Sequence, residues 1–196
     1  MDLDVYIDSW IISDGNYDHF HEGEIREFAL EFYTPDGLTR LPSTARHFRA
    51  SSGYTYDVEA EIVFISDDIC ILDFGLAAYS ENSSNLKAGH RLGDVVQGKI
   101  TLGVDPFFYF ERLSKLPGVP PLIYKWRINS VEQDTSPVVP TEVCGRQGYS
   151  KQSGRSFRRV PGTFERITVP NEIGALHVLR CTKLDAPPST VLKRDC

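Results

Sequence analysis

Apolar and polar residues alternate along most of this chain. In "YTYDVEAEIVFI", Tyr54, Tyr56, Val58, Ala60, Ile62 and Phe64 fall on one side, and Thr55, Asp57, Glu59 and Glu61 on the other. A period of two marks a strand with one face buried and one in water, the habit of antiparallel sheets. Ser66-Asp67-Asp68 reads as a tight turn, with "ICILDFGLAAY" as the next strand and residues 81–90 as a polar loop. In residues 93–103, Val96, Gly98, Ile100 and Leu102 share a face, with Gly98 suited to a bulge or bend. In "PPLIYKWRINSVEQ", Leu122, Tyr124, Trp126 and Ile128 do the same. "DLDVYIDSWII" and "EIREFALEFYT" predict two further strands near the N-terminus. Residues 163–169 and 173–184 predict a last hairpin around Pro170-Asn171. The stretch 135–162, rich in Pro, Gly and Ser, reads as a long connection.

One segment breaks the alternation. Asp105 suits an N-cap, and Pro106 suits the first position of a helix. Phe107, Phe110 and Leu113, joined by Phe108 and Leu116, then make one apolar stripe at helical spacing, and Pro117-Gly118 ends it. The pattern predicts a short helix over about 105–116 that plugs the sheet and leaves Tyr109 exposed. The expected fold class is mainly β: an antiparallel, OB-like barrel or sandwich with one short helix and two extra N-terminal strands. A single domain is expected over 1–185, with the strand pair in 1–35, a barrel-like core in 54–184, and a frayed tail in 186–196.

From residue 54 onward the order strand–strand–strand–helix–strand–strand resembles the OB-fold, a five-stranded Greek-key barrel with a helix between its third and fourth strands. The sequence echo is "GDVVQGKI", similar to the glycine-punctuated strands of such barrels. The resemblance is one of element order and implies a ligand face framed by loops.

The chain has 196 residues, 41% hydrophobic and 24% charged, which suits one globular domain. Its net charge of −6 is divided unevenly: residues 1–90 carry 17 acidic and 5 basic groups, and residues 91–196 carry 10 and 16. Either the halves neutralise each other on folding or the protein meets a charged partner. Cys70, Cys144, Cys181 and Cys196 form no CxxC pair. The N-terminus, with its early aspartates, is unlike a signal peptide, and no apolar run approaches the roughly 20 residues of a membrane span. These features predict a cytoplasmic protein with free thiols and no membrane association.

The densest candidate for function is "CGRQGYSKQSGRSFRRV". Arg146, Lys151, Arg155, Arg158 and Arg159 occur without an acid, and Tyr149 and Phe157 are interleaved. Arginine forks grip phosphates and rings stack on bases, so the set suits a polyanion; as a solvated loop it would do nothing. His19 and His21 in "DHFHEGE" are the candidate metal ligands, but no second spaced pair accompanies them. Asp73 lies inside the apolar run "ILDFGL" and needs a partner if buried. No nucleophile motif, zinc-protease motif or phosphate loop is present, so no catalytic residue and no cofactor is assigned.

Three functions follow. The first is a non-catalytic binding protein that acts on a protein partner through charged surfaces, as an immunity-type protein or adaptor does. The second is an OB-type domain binding single-stranded nucleic acid through residues 146–159. The third is an enzyme whose catalytic groups come from distant positions.

Overall fold

A computed structural model describes residues 1–42, 46–81, 89–143, 146–151, 155–163 and 176–192. In chain order the elements are β1 (Asp2–Asp8), α1 (Ser9–Ser13), β2 (Ile25–Phe28), β3 (Leu30–Tyr33), β4 (Thr39–Leu41), β5 (His47–Ser52), β6 (Thr55–Ile65), β7 (Cys70–Asp73), β8 (Ala77–Ser80) and β9 (Val95–Val104). Then come α2 (Phe108–Glu111), a 3-10 turn (Leu113–Lys115), β10 (Tyr124–Asp134), β11 (Val138–Val143), β12 (Arg146–Lys151), β13 (Phe157–Val160) and β14 (Leu176–Lys183). The chain is mainly β, as the alternation predicts. No helix among the described residues is long and apolar enough to cross a membrane.

Five strands close into a mixed barrel. β6 pairs with β7, β7 with β8, β8 with β3, and β3 with β9; β9 pairs back onto β6 and completes the circuit. The β3–β8 contact is the parallel one. Tyr56, Val58, Ala60 and Ile62 fill the interior from β6, with Cys70 and Leu72 from β7 and Leu30 and Phe32 from β3. β3 is therefore part of the barrel rather than an appendage to it. A bulge between Ile62 and Phe64 ends the alternation of β6 and swings Phe64 to a cluster on the barrel's outer surface.

"ICILDFGLAAY", expected as one strand, is a hairpin of two. Gly75 adopts φ 101°, and its N–H donates to Asp73 Oδ1 at 2.8 Å, so the chain reverses at Asp73–Leu76. Asp73 also meets Arg46 Nη1 at 2.9 Å, which supplies the partner it needs.

A second layer, β13-β10-β14-β1, joins the barrel where Tyr6 of β1 lies in parallel register with Gly103 of β9. β2 pairs with β10, and one residue later β3 pairs with β9. The nearly continuous β2–β3 strand thus ties both layers together. Trp126 is fully buried between them; it stacks on Phe28 at 5.4 Å and donates from Nε1 to the Phe28 carbonyl at 3.1 Å.

The aromatic segment after β9 packs inward, but on a different set of rings. Phe107, Tyr109 and Leu113 are buried, whereas Phe108 is 41% and Leu116 39% exposed. Helix α2 is only four residues long and is entered through Phe107 at φ 83°, so the stripe expected of a long helix is rotated. Tyr109, expected in water, covers the outer side of β7 and β8 with Leu113, Leu122 and Ile123, against Ile71 and Tyr79. Its hydroxyl donates to the Pro120 carbonyl at 2.8 Å and accepts the Leu122 N–H at 3.1 Å.

Residues 135–162, expected as a connection, contain the β11–β12 hairpin and β13, which pairs with β10. Residues 164–175, and with them most of the first arm of the expected last hairpin, lie outside the described residues. The tail is docked as far as residue 192: Ser189 bridges Ile123, and Leu192 packs on the core.

Candidate functional site

The basic candidates fall on β12 and on and just before β13. Arg146, Tyr149 and Lys151 lie on β12, and their side chains are outside the description. Arg155, Phe157, Arg158 and Arg159 are exposed on and just before β13. Arg159 grips Glu22 with two bonds, of 3.0 and 2.5 Å. Arg155 lies 3.6 Å from the buried Asp134 carboxylate, hydrogen bonds to the Tyr54 hydroxyl, and sits over the Tyr54 ring at 5.6 Å. Bases of the second half meet acids of the first in this way elsewhere: Lys99 with Asp57 at 3.0 Å, and Arg112 with Glu81.

Arg155 belongs instead to a face built where β1, β3, β6 and β9 meet. Gly103 is the opening that allows it: a Cβ there would stand 2.5 Å from Tyr6 Cζ, so only glycine lets the Tyr6 ring lie across β9. Tyr6 donates to Glu31 Oε1 at 2.8 Å, and its ring lies 5.5 Å from that of Tyr54. In the next row Tyr33 stands opposite Thr101, and Thr101 opposite Thr55. Asp8 lies two residues after Tyr6 on the same strand, and Trp10 follows it on α1. Trp10 is 48% and Tyr33 50% exposed. The surface therefore combines tyrosine, tryptophan and one arginine, the residue types enriched where proteins bind one another tightly, with carboxylates beside them.

Behind this face the carboxylates go deeper. Tyr79 donates to Asp105 Oδ1 at 2.5 Å, and the same oxygen accepts the Tyr109 N–H at 3.1 Å. The N-cap of α2 is Phe107, two residues after the Asp105 cap that the sequence predicts, and Pro106 lies before the helix; Asp105 nevertheless serves the first turn through the Tyr109 N–H while also fastening α2 to β8. Burial pushes Glu31 up to about 7, against the hydrogen bond from Tyr6 that lowers it; the charges of Asp105, Asp8 and Glu81 raise it further. Burial likewise pushes Asp105 up to about 6, against the bonds from Tyr79, Tyr109 and Phe108. Burial also raises Asp8, opposed by Trp10 and Arg155. A carboxyl that titrates near neutrality can hold or release a proton at physiological pH, and it favours a cation brought to it.

The rings of His19 and His21 are 6.4 Å apart, and the described residues hold no group of three His, Cys, Asp or Glu arranged for a metal. Cys70 and Cys181 are buried free thiols. The sequence offers Tyr6 and Trp10, with Tyr109 and Tyr149, as rings that could share an exposed patch, of which Tyr109 is buried; it gives no such role to Glu31, Tyr54 or Gly103. Glu31 in the apolar run "FALEFY" was the available signal, since a lone carboxylate between buried positions needs a reason.

The fold and this face define a mainly β protein with a closed mixed barrel and an aromatic, carboxylate-backed surface. No family model, curated protein or solved structure matches the chain.

Proposed function

We propose that this chain is a non-catalytic binding protein that engages a protein partner through the face bearing Tyr6, Asp8, Trp10, Tyr33, Tyr54 and Arg155. The observation that carries the reading is the exposure of Trp10 and Tyr33, each about half open to water, beside half-buried carboxylates. Large rings left in water next to desolvated charge gain the most from being covered. The carboxylates behind the rings favour a partner that presents lysine or arginine, as an immunity-type or adaptor role requires.

Set against an OB barrel, the circuit has β3 in the place of the fifth strand beside β8, but α2 follows the fourth strand, β9, instead of preceding it, and β10, β13 and β14 lie outside the barrel, so the expected element order does not hold. Strands two and three of an OB barrel carry its nucleic-acid face. On this alignment those strands are β7 and β8, and their outer side is covered by Tyr109, Leu113 and Leu122. Arg155 and Arg159 are also engaged with Asp134 and Glu22. Both points weigh against the nucleic-acid reading, which a fluorescence anisotropy titration with single-stranded DNA at two salt concentrations tests directly; steep salt weakening would revive it.

The test of the protein-binding reading is capture at low salt from the source cell extract, comparing the native chain with the Trp10→Ala/Tyr33→Ala double variant at matched melting temperature. Recovery of a defined protein by the native chain and its loss with the variant is the expected result. Equal recovery by both, or none by either, overturns the proposal.

A further inference from the structure

The β2–β3 strand is broken only at Ala29, and its two halves use their outer edge differently. Along β3 that edge is taken by β9, and the last bond of the ladder runs from the Asp105 N–H to the Ala29 carbonyl at 3.0 Å. There β9's line ends, because Pro106 has no N–H to donate and Phe107, at φ 83°, turns the chain away. On its other edge β2 pairs with β10, where the Ile128 N–H donates to the Glu24 carbonyl at 2.9 Å. Alternate residues of an antiparallel ladder turn their N–H and C=O to opposite edges. Glu24 and Arg26 thus bond toward β10, and Ile25 turns its N–H and C=O to the side that β9 has left. Neither group has a partner among the described residues.

A cleft of about 660 Å³ reaches from Phe107, where β9's line ends, along β2 and as far as Lys125 of β10. Residues 24–27 all line it. Successive side chains of a strand point to opposite faces, so a cleft that touches four in a row runs along the edge. Tyr17 and Phe107, in edge contact at 4.8 Å, and Leu192 give it apolar walls. Its charges are unevenly used. Arg26 is held by Glu24 at 2.9 Å and by the His19 carbonyl at 2.8 Å, and Lys125 stands opposite Glu27 across the ladder. Asp18 is exposed in the lining and makes no ion pair with a described residue.

We infer that this cleft is a peptide-binding site in which an extended segment of another protein adds to the β2 edge where β9 leaves off. The segment bonds through the Ile25 N–H and C=O, seats an apolar side chain against Tyr17, Phe107 and Leu192, and brings a lysine or arginine to Asp18. Main-chain bonds hold such a strand, and the alternate side-chain contacts select it. The site is distinct from the aromatic face and stands whether or not that face binds a partner.

Random peptides displayed on phage are selected against the full chain, and those recovered are synthesised with a fluorescent label. The expected peptides alternate apolar residues with at least one lysine or arginine. Ile25→Pro removes only an outward N–H, which an edge strand tolerates, and weakens binding by about tenfold or more. Asp18→Asn weakens it several-fold. Methylating the peptide's amides one at a time abolishes binding at alternate positions only, and exchange of the Ile25 amide slows in the complex. The last two measurements use the unaltered protein and decide the matter if the proline variant does not fold. Selection without a specific peptide, binding that tolerates methylation at every position, or an Ile25 amide whose exchange does not change overturns the inference.

Discussion

The Tyr6 hydroxyl donates to Glu31 Oε1 at 2.8 Å, and this bond joins a strand of the second layer to a strand of the barrel. The two layers also share the β1–β9 register at Gly103, so the bond lies at the junction that holds them together. Glu31 is at once an anchor of the fold and the acidic floor of the aromatic face.

The pH dependence of stability follows from the sign of the shift. Glu31 is raised from 4.5 to about 7 and Asp105 from 3.8 to about 6, so each holds its proton more tightly folded than unfolded. Their contribution is complete below the unfolded values and is lost as the pH rises through about 6 and then about 7. From these two groups stability should fall between about pH 4 and about pH 7 and level off above, with Glu31 accounting for on the order of 1 to 3 kcal/mol. Glu31→Gln keeps an acceptor for Tyr6 and removes the charge, so it should stabilise the protein at pH 8 and flatten the upper part of the profile. Thermal denaturation at pH 5, 6.5 and 8 measures this; parallel curves for the variant and the native chain would refute it.

Gly103→Ala places a methyl 2.5 Å from the Tyr6 ring. The contact cannot relax without moving Tyr6 off Glu31, and a cost of about 1–3 kcal/mol is expected. Tyr6→Ala removes the obstruction. In a double-mutant cycle Gly103→Ala should therefore cost markedly less in the Tyr6→Ala background. Strict additivity in urea denaturation would mean that the ring and the glycine are not coupled.

The arginines before and on β13 differ in what they hold. Arg158 is exposed and pairs with no described residue, so Arg158→Ala should leave the melting temperature unchanged. Arg155 shields Asp134, whose side chain is fully buried and accepts the Ser136 N–H at 2.9 Å. Arg155→Ala should lower the melting temperature by about 2–4 °C, the shift that roughly 1 kcal/mol produces in a domain of this size. Calorimetry that finds the two variants equal would remove the structural role assigned to Arg155.

What the sequence by itself determined is local. Period-two alternation placed β6, β9, β10 and much of β1–β3, because a strand's two faces are written into its own residues. Asp105-Pro106 marked a helix nearby, because capping signals are local, but its start falls two residues later, at the Phe107 N-cap. What only the tertiary structure decided is which surface covers which. Alternation says that Ile71 and Tyr79 are apolar on the barrel's outer side, not that Tyr109 will lie over them. It could not split β7 from β8 at Gly75, whose positive φ is compatible with an uninterrupted apolar run. Nor could it name β3 as the strand that closes the barrel, since pairing partners are chosen by packing between segments far apart in the chain. The aromatic face is the sharpest case. Tyr6, Glu31 and Gly103 are separated by 25 and 72 positions, and they meet because strand register, a property of the whole sheet, sets a ring over a residue without a side chain.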